Sequence, residues 1–154
     1  MVSAGTQAYG PRYANWGWRV LSSLIDTLVF YLPLLLVFVG VNALGMVDAE
    51  GDPDGPVANL VVGVAAALAL GFAVVNRIVL DGRGQSVGRR LTGTRLVSLR
   101  NGTPIGAGRA ALRNLCHVLD SIPLDIGYLM PLFTKERQTL ADMVMRTVVV
   151  RVRS

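Results

Sequence analysis

The chain has 154 residues, 52% of them hydrophobic and only 16% charged, with a mean hydropathy of +0.49 and a formal charge of +5. A charged fraction well below the roughly 25% of an ordinary soluble domain, with the apolar residues gathered into blocks, points to one membrane-embedded domain. The lone cysteine (Cys116) and lone histidine (His117) exclude an internal disulfide and a cysteine- or histidine-based metal cluster within the chain, so neither metal nor cofactor is expected.

Residues 1–17 read as an N-terminal tail, with Tyr13 and Trp16 near its end and Trp18 just beyond it, rings suited to the headgroup level. The first apolar run, Trp18 to Leu44, is too long for the apolar core of a secretory signal. It has no small-residue cleavage site near its end, so it reads as a retained span, kinked at Pro33. At its start Arg19, Ser22, Ser23 and Asp26 follow i, i+3, i+4, i+7 spacing and share one helix face. Asp26 lies about 10 Å further along the axis than Arg19. A carboxylate at that depth costs about 2.5–3.5 kcal/mol on insertion scales, which makes this stripe the first candidate site. Two readings stand side by side. In one, Asp26 is a proton- or cation-coupled group. In the other, the stripe is a polar clamp, with Asp26 paired to Arg77 or Arg113 on a neighbouring element. Arg19 itself is expected to snorkel to the headgroups.

The acidic loop that follows carries Asp48, Glu50, Asp52 and Asp54 and no lysine or arginine. A second span runs from Val57 to Leu80 and closes with Asn76 and Arg77. Each span is long enough to cross about 30 Å of hydrocarbon. Gly63, Ala67 and Gly71 form a small-residue face, expected to admit the first span in preference to forming a dimer seam. Arginines flank the spans on the side away from the acidic loop. The positive-inside rule therefore puts both termini in the cytoplasm and the loop outside. The same arginines account for the basic balance through an anionic leaflet, with no nucleic acid.

Residues 81–154 form the cytoplasmic-side region. Gly82, Gly84 and Gly88 with Arg89 and Arg90 fail the phosphate-loop pattern, which excludes nucleotide binding; anionic lipid headgroups remain an alternative there. Asn101-Gly102 predicts a hairpin within Thr94–Ile105, and the valine run after Thr147 reads as a strand pairing with it. From Arg109 to Phe133 the apolar surface is broken by Arg113, Asn114, Asp120 and Asp125. Pro123 divides it into two segments too short to span, read as a re-entrant or interfacial helix pair. Thr139 and Asp142 have capping-box spacing, with Arg146 at i+4 for an exposed ion pair. Cys116 and His117, adjacent on a helix, diverge by about 100° and make no nucleophile pair. With no serine–histidine–acid or paired-carboxylate arrangement, the chain does not read as an enzyme. The expected fold is an all-α membrane protein: a two-span transmembrane helical hairpin with a cytoplasmic-side re-entrant or interfacial helix pair and a small β-element.

Four blocks, RVLSSLID, GQSVGRRLTGTRLVSLRNGTPI, RNL…LD and RQTLADMVMRTVVV, resemble in content and order the RDD family of small bacterial integral membrane proteins. By that resemblance Arg19 is the family arginine, Asp26 its first aspartate and Asp142 its second, with Asp120 a weaker claimant; for Asp142 the local cap and a role beside Arg19 in a shared site stand as two compatible readings. The commoner form of the last block has a histidine before the aspartate, where this chain has Ala141. The resemblance implies a multi-pass protein of the bacterial cytoplasmic membrane with a role in transport; monovalent cation/proton exchange is proposed for some members. Two spans enclose no pathway alone, so action as a homo-oligomer, or as an accessory subunit of a larger membrane complex, is expected.

Overall fold

The computed structural model describes residues 12–122 and 126–152. Pro123, Asp125 and most of the tail lie outside the described residues.

Helix α1 (Trp16–Ala43) starts where Asn15 accepts a hydrogen bond from the Trp18 backbone N–H at 3.0 Å, and it continues unbroken past Pro33. Helix α2 (Gly55–Val74) opens on Gly55-Pro56, where the missing proline N–H costs nothing, and continues into a π-helical turn (Val75–Leu80). The two continuous helices, 28 and 26 residues long, each have a mean hydropathy of 2.3, yet only 11% and 6% of their most apolar stretches are buried. Leu28, Leu32, Leu36, Leu60, Leu68 and Leu70 all stand open. Water would penalise that surface heavily, whereas hydrocarbon accommodates it, and a helix keeps nearly all its backbone polar groups satisfied internally. These are helices long and apolar enough to cross a bilayer.

The face that α2 turns toward α1 is not the one expected. Ala58, Val62, Ala65, Ala69, Ala73 and Asn76 form the less exposed stripe, while Gly63, Ala67 and Gly71 are exposed. A Cβ added at Gly63 or Gly71 would meet nothing within 4 Å. Alanines suffice for close approach here, so the glycine stripe is left pointing away.

After the spans come α3 (Val87–Leu91), β1 (Thr94–Ser98), α4 (Ala107–Cys116), α5 (Val118–Ser121), a 3₁₀ segment (Ile126–Leu132), α6 (Leu140–Met145) and β2 (Thr147–Arg151). Strands β1 and β2 pair antiparallel, from Thr94 opposite Arg151 to Ser98 opposite Thr147. The segment before α1 lies on the other edge of β2, through a Tyr13–Val150 bridge and an Ala14 N–H to Val149 carbonyl bond of 2.8 Å. A compact apolar cluster of Ala14, Leu96, Ile105, Ala110 and Val149 sits beneath this junction. The Asn101-Gly102 turn forms, with Ser98 N–H on the Thr103 carbonyl at 2.8 Å, but no second hairpin strand follows. The chain leaves at Gly106 (φ 79°) for α4, and β2 takes the place beside β1.

The Arg109–Phe133 stretch also departs from a pair of matched helices. Its first half is α4 and the single turn α5; its second half is the 3₁₀ segment, with Pro131 inside it. Leu112, Leu115, Val118, Ile122 and Phe133 project outward as exposed apolar side chains, and Ala110 and Arg113 turn inward.

Candidate functional site

The capping box expected at α6 is present: the Thr139 hydroxyl accepts the Asp142 N–H at 3.2 Å, and the Thr139 N–H reaches Asp142 Oδ2 at 3.5 Å. This local fold carries Asp142 into the interior, where it is fully buried. Its Oδ2 accepts from Arg19 Nη1 at 2.5 Å, and its Oδ1 accepts from Arg113 Nε at 2.7 Å and the Thr147 hydroxyl at 2.9 Å. One carboxylate thus serves as cap and as the shared counter-ion of two guanidiniums.

Two expectations fail here. Arg19 does not snorkel; its side chain is 11% exposed and folded onto Asp142, because a buried carboxylate on the same side outcompetes the headgroups. Arg146 does not pair with Asp142; it is exposed in a left-handed C-cap (φ 51°), pointed away from a carboxylate already filled. Arg19 Nε and Nη2 are buried with no acceptor, and each such orphan donor costs about 1–3 kcal/mol. Burial pushes the Asp142 carboxyl up, but Arg113 and Arg19 outweigh it and hold the group far below the usual carboxylate range. Burial likewise works to lower Arg113, and Asp142 overcomes it, leaving Arg113 above its usual value. The triad is a fixed set of charges.

Asp26 sits in a different chemistry. Its oxygens accept from Asn76 Nδ2 at 2.8 Å, the Ser86 hydroxyl at 2.7 Å and the Gly88 N–H at 2.7 Å. The expected pairing with Arg77 or Arg113 is absent. The π-helical turn brings Asn76 inward, buried, and leaves its neighbour Arg77 exposed; Arg113 is committed to Asp142. Asn76 also accepts the Val87 N–H at 2.8 Å, so one amide ties α2 to both α1 and α3. Ser86 caps α3 by accepting the Arg89 N–H at 3.3 Å while donating to Asp26. Gly88 approaches α1 so closely that a Cβ there would stand 2.0 Å from the Ser22 carbonyl oxygen. Ser22 is buried with its hydroxyl on the Arg19 carbonyl at 2.8 Å, whereas Ser23 is exposed. Asp81, which sequence reasoning passed over, accepts the Ser86 N–H at 3.2 Å and pairs with Arg89. The one sequence signal for this network was an asparagine and a Ser-x-Gly placed just past an apolar span.

Asp120 belongs to neither cluster. Its Oδ1 accepts the first two α6 backbone N–H groups, Leu140 at 2.7 Å and Ala141 at 3.3 Å, and its Oδ2 holds His117 Nδ1 at 2.6 Å. His117 stacks on Tyr128 with ring centroids 5.6 Å apart. Burial and the nearby Arg113 lower the His117 pKa from 6.5 to about 4, against the pull of Asp120. The folded chain therefore keeps this imidazole neutral where the unfolded chain protonates it. Stability should be complete above about pH 6.5 and decline as the pH falls toward 4. Unfolding temperatures of the detergent-solubilised protein should drop across that window, and His117→Gln should remove part of the drop. An identical slope in the variant would count against this assignment.

The two aspartate clusters border one cavity of about 740 Å³, lined by Arg19, Ser22, Ser23 and Asp26 from α1 and by Arg77 and Arg113 opposite. Among the described residues, no group of three or more His, Cys, Asp and Glu side chains is placed to hold a metal ion.

Over 67 residues the chain is 43% identical to the proline-rich antigen homolog of Mycobacterium tuberculosis, a match covering 44% of this chain and 28% of that protein. It is 42% identical over 65 residues to the proline-rich antigen of Mycobacterium leprae, covering 42% of this chain and 26% of the relative. The matches thus span little more than a quarter of these curated relatives. No solved structure matches the chain. The family match extends over residues 13–146 and takes in Arg19, Asp26, Asp120 and Asp142, so the chain belongs to the RDD family of membrane proteins.

Proposed function

We propose that the protein is a transport-associated, non-enzymatic component of the bacterial cytoplasmic membrane, in which Asp26 exchanges a proton for a monovalent cation within a homo-oligomer. The contrast between the two aspartates carries this reading. Asp142 is pinned as an anion between two arginines, whereas Asp26 lies inside a span, on the cavity, and is held by neutral donors. Only a carboxylate whose charge is not already neutralised by a fixed cation is suited to exchange one cation for another. The arginine asymmetry supports a cytoplasmic placement of the cavity end of the spans. The exposed Leu112, Leu115, Val118 and Ile122 support seating α4 and α5 at the headgroup–acyl boundary on that side.

The test is cation-dependent proton flux in proteoliposomes. Native protein should acidify or alkalinise the lumen with a sodium or potassium gradient, and Asp26→Asn should abolish the effect while the variant stays folded. Equal flux from both would end the exchange reading.

A second reading is favoured by the outward stripe of Gly63, Ala67 and Gly71, which α1 does not use. In it the chain is an accessory subunit packed against a larger membrane complex. Native mass spectrometry after gentle extraction separates the two: a homo-oligomer fits exchange, and a stoichiometric foreign subunit fits the accessory role.

A further inference from the structure

Arg19 spends one nitrogen, Nη1, on Asp142, while its buried Nε and Nη2 have no acceptor. The side chain lines the cavity, and these two donors lie buried just behind its wall. A guanidinium with donors left over calls for an acceptor presenting several oxygens, the geometry of a phosphate or carboxylate. Charge agrees. Arg89 is neutralised by Asp81, Arg19 and Arg113 share the single charge of Asp142, and Asp26 has only neutral donors, so the four arginines of the lining still outnumber these three aspartates. The excess positive charge rests on the Arg19–Arg113 pair and the exposed Arg77.

The other wall of the same cavity is apolar. Val20 and Leu24 of α1 face it together with Ala73, Val74 and Ile78 of the second span, and Leu24 and Val74 are also exposed on the outer surface of the spans. A site that is basic at one end and continuous with the lipid-facing surface at the other does not fit a free anion. It fits an amphiphile with an anionic head. We infer that the cavity binds one anionic phospholipid, whose phosphate oxygens accept from the Arg19 guanidinium as it turns Nε and Nη2 toward the cavity, and whose acyl chain lies along Leu24 and Val74. Basic pockets between spans are the setting in which anionic headgroups are held. This inference stands apart from cation exchange at Asp26; either can fail without the other.

The experiment is a lipid titration of the intact, detergent-solubilised protein, read by native mass spectrometry. Phosphatidylglycerol, phosphatidylcholine and inorganic phosphate are the probes. Native protein should take up one phosphatidylglycerol per chain saturably and prefer it to phosphatidylcholine. Arg19→Gln should weaken that binding by about ten-fold or more, because a charge-assisted bond is lost. If that variant fails to fold, Arg77→Gln carries the test, since the Arg77 side chain is exposed and lines the cavity; a loss of about five-fold is expected from one nearby charge. Arg100→Gln, exposed and not among the cavity residues, should bind as the native protein does. Equal uptake of the two lipids would overturn the inference, as would equal losses in Arg77→Gln and Arg100→Gln. Displacement of phosphatidylglycerol by equimolar inorganic phosphate would also overturn it, by making the cavity a free-anion site.

Discussion

Asp142→Asn should be the most damaging single substitution in the domain. The native carboxylate neutralises Arg19 and Arg113, accepts the Thr147 hydroxyl and closes the α6 capping box. Asparagine keeps the shape but offers one acceptor oxygen and turns an amide donor toward a guanidinium. Two arginines then remain buried with no counter-charge. Removing one partner of a buried ion pair costs about 3–5 kcal/mol, a large part of the about 5–15 kcal/mol that holds a typical domain together. The expected result is a sharp fall in unfolding temperature in detergent and a loss of protein from the membrane fraction. Arg146→Gln, at the exposed end of the same helix, should stay within about 0.5 kcal/mol of native. If the asparagine variant melts with the native protein, the triad is not what closes the domain. Because the folded Asp142 carboxyl is held so low, its stabilisation is present throughout the neutral range. It is lost only as the pH falls below the usual carboxylate range.

Gly88→Ala should be the second most damaging. The new methyl group would lie 2.0 Å from the Ser22 carbonyl oxygen and 3.0 Å from Asp26 Cγ. The nearest of these is helix backbone, which no rotamer change moves aside. Helix α3 must retreat from α1, and retreat withdraws the Gly88 N–H and the Ser86 hydroxyl from Asp26 together. Overpacking alone costs about 1–3 kcal/mol, and the loosened carboxylate adds to it. Gly63→Ala gives the matched contrast, since a Cβ there meets nothing within 4 Å and alanine is the better helix former. Thermal unfolding of the two variants should move in opposite directions. If both behave alike, the close contact of α3 with Ser22 is wrong.

How much of this was legible in the sequence depended on the distance over which each signal acts. The spans were readable because sustained hydropathy is a local property, and Arg19 and Asp26 stood out as charges in apolar surroundings. The α6 capping box was readable because Thr139 and Asp142 are three positions apart. The meeting of Arg19 with Asp142, 123 residues distant, has no local signature; only the family resemblance brought the two together. Of the two readings of Asp26, the clamp gives it arginine partners on the principle that buried charges seek opposite charges. Its real partners are polar groups that a charge count does not register: an amide, a hydroxyl and a backbone N–H. The amide was hidden twice, since a regular 3.6-residue period does not foresee the π-helical turn that buries Asn76. The hairpin expectation failed for a related reason. Asn101-Gly102 does turn the chain, but Val148 and Val149 of β2 offer buried side chains at 2% and 1% exposure, and β2 therefore pairs with β1.

The clasping of β2 between β1 and the segment before α1 bears on how the protein is born. A ribosome adding about 5–20 residues per second needs about 6–25 s to travel the 123 residues from Arg19 to its counter-charge. The first span thus meets the bilayer with its arginine unpaired. The segment around Ala14 also waits for β2, whose Val149 lies 135 residues further along the chain. Insertion and completion are separate events, and a nascent chain halted before Asp142 leaves a charged, unclosed hairpin in the lipid. Such a fragment would be conspicuous to membrane proteases, whereas the finished domain hides every charge that marked it as incomplete.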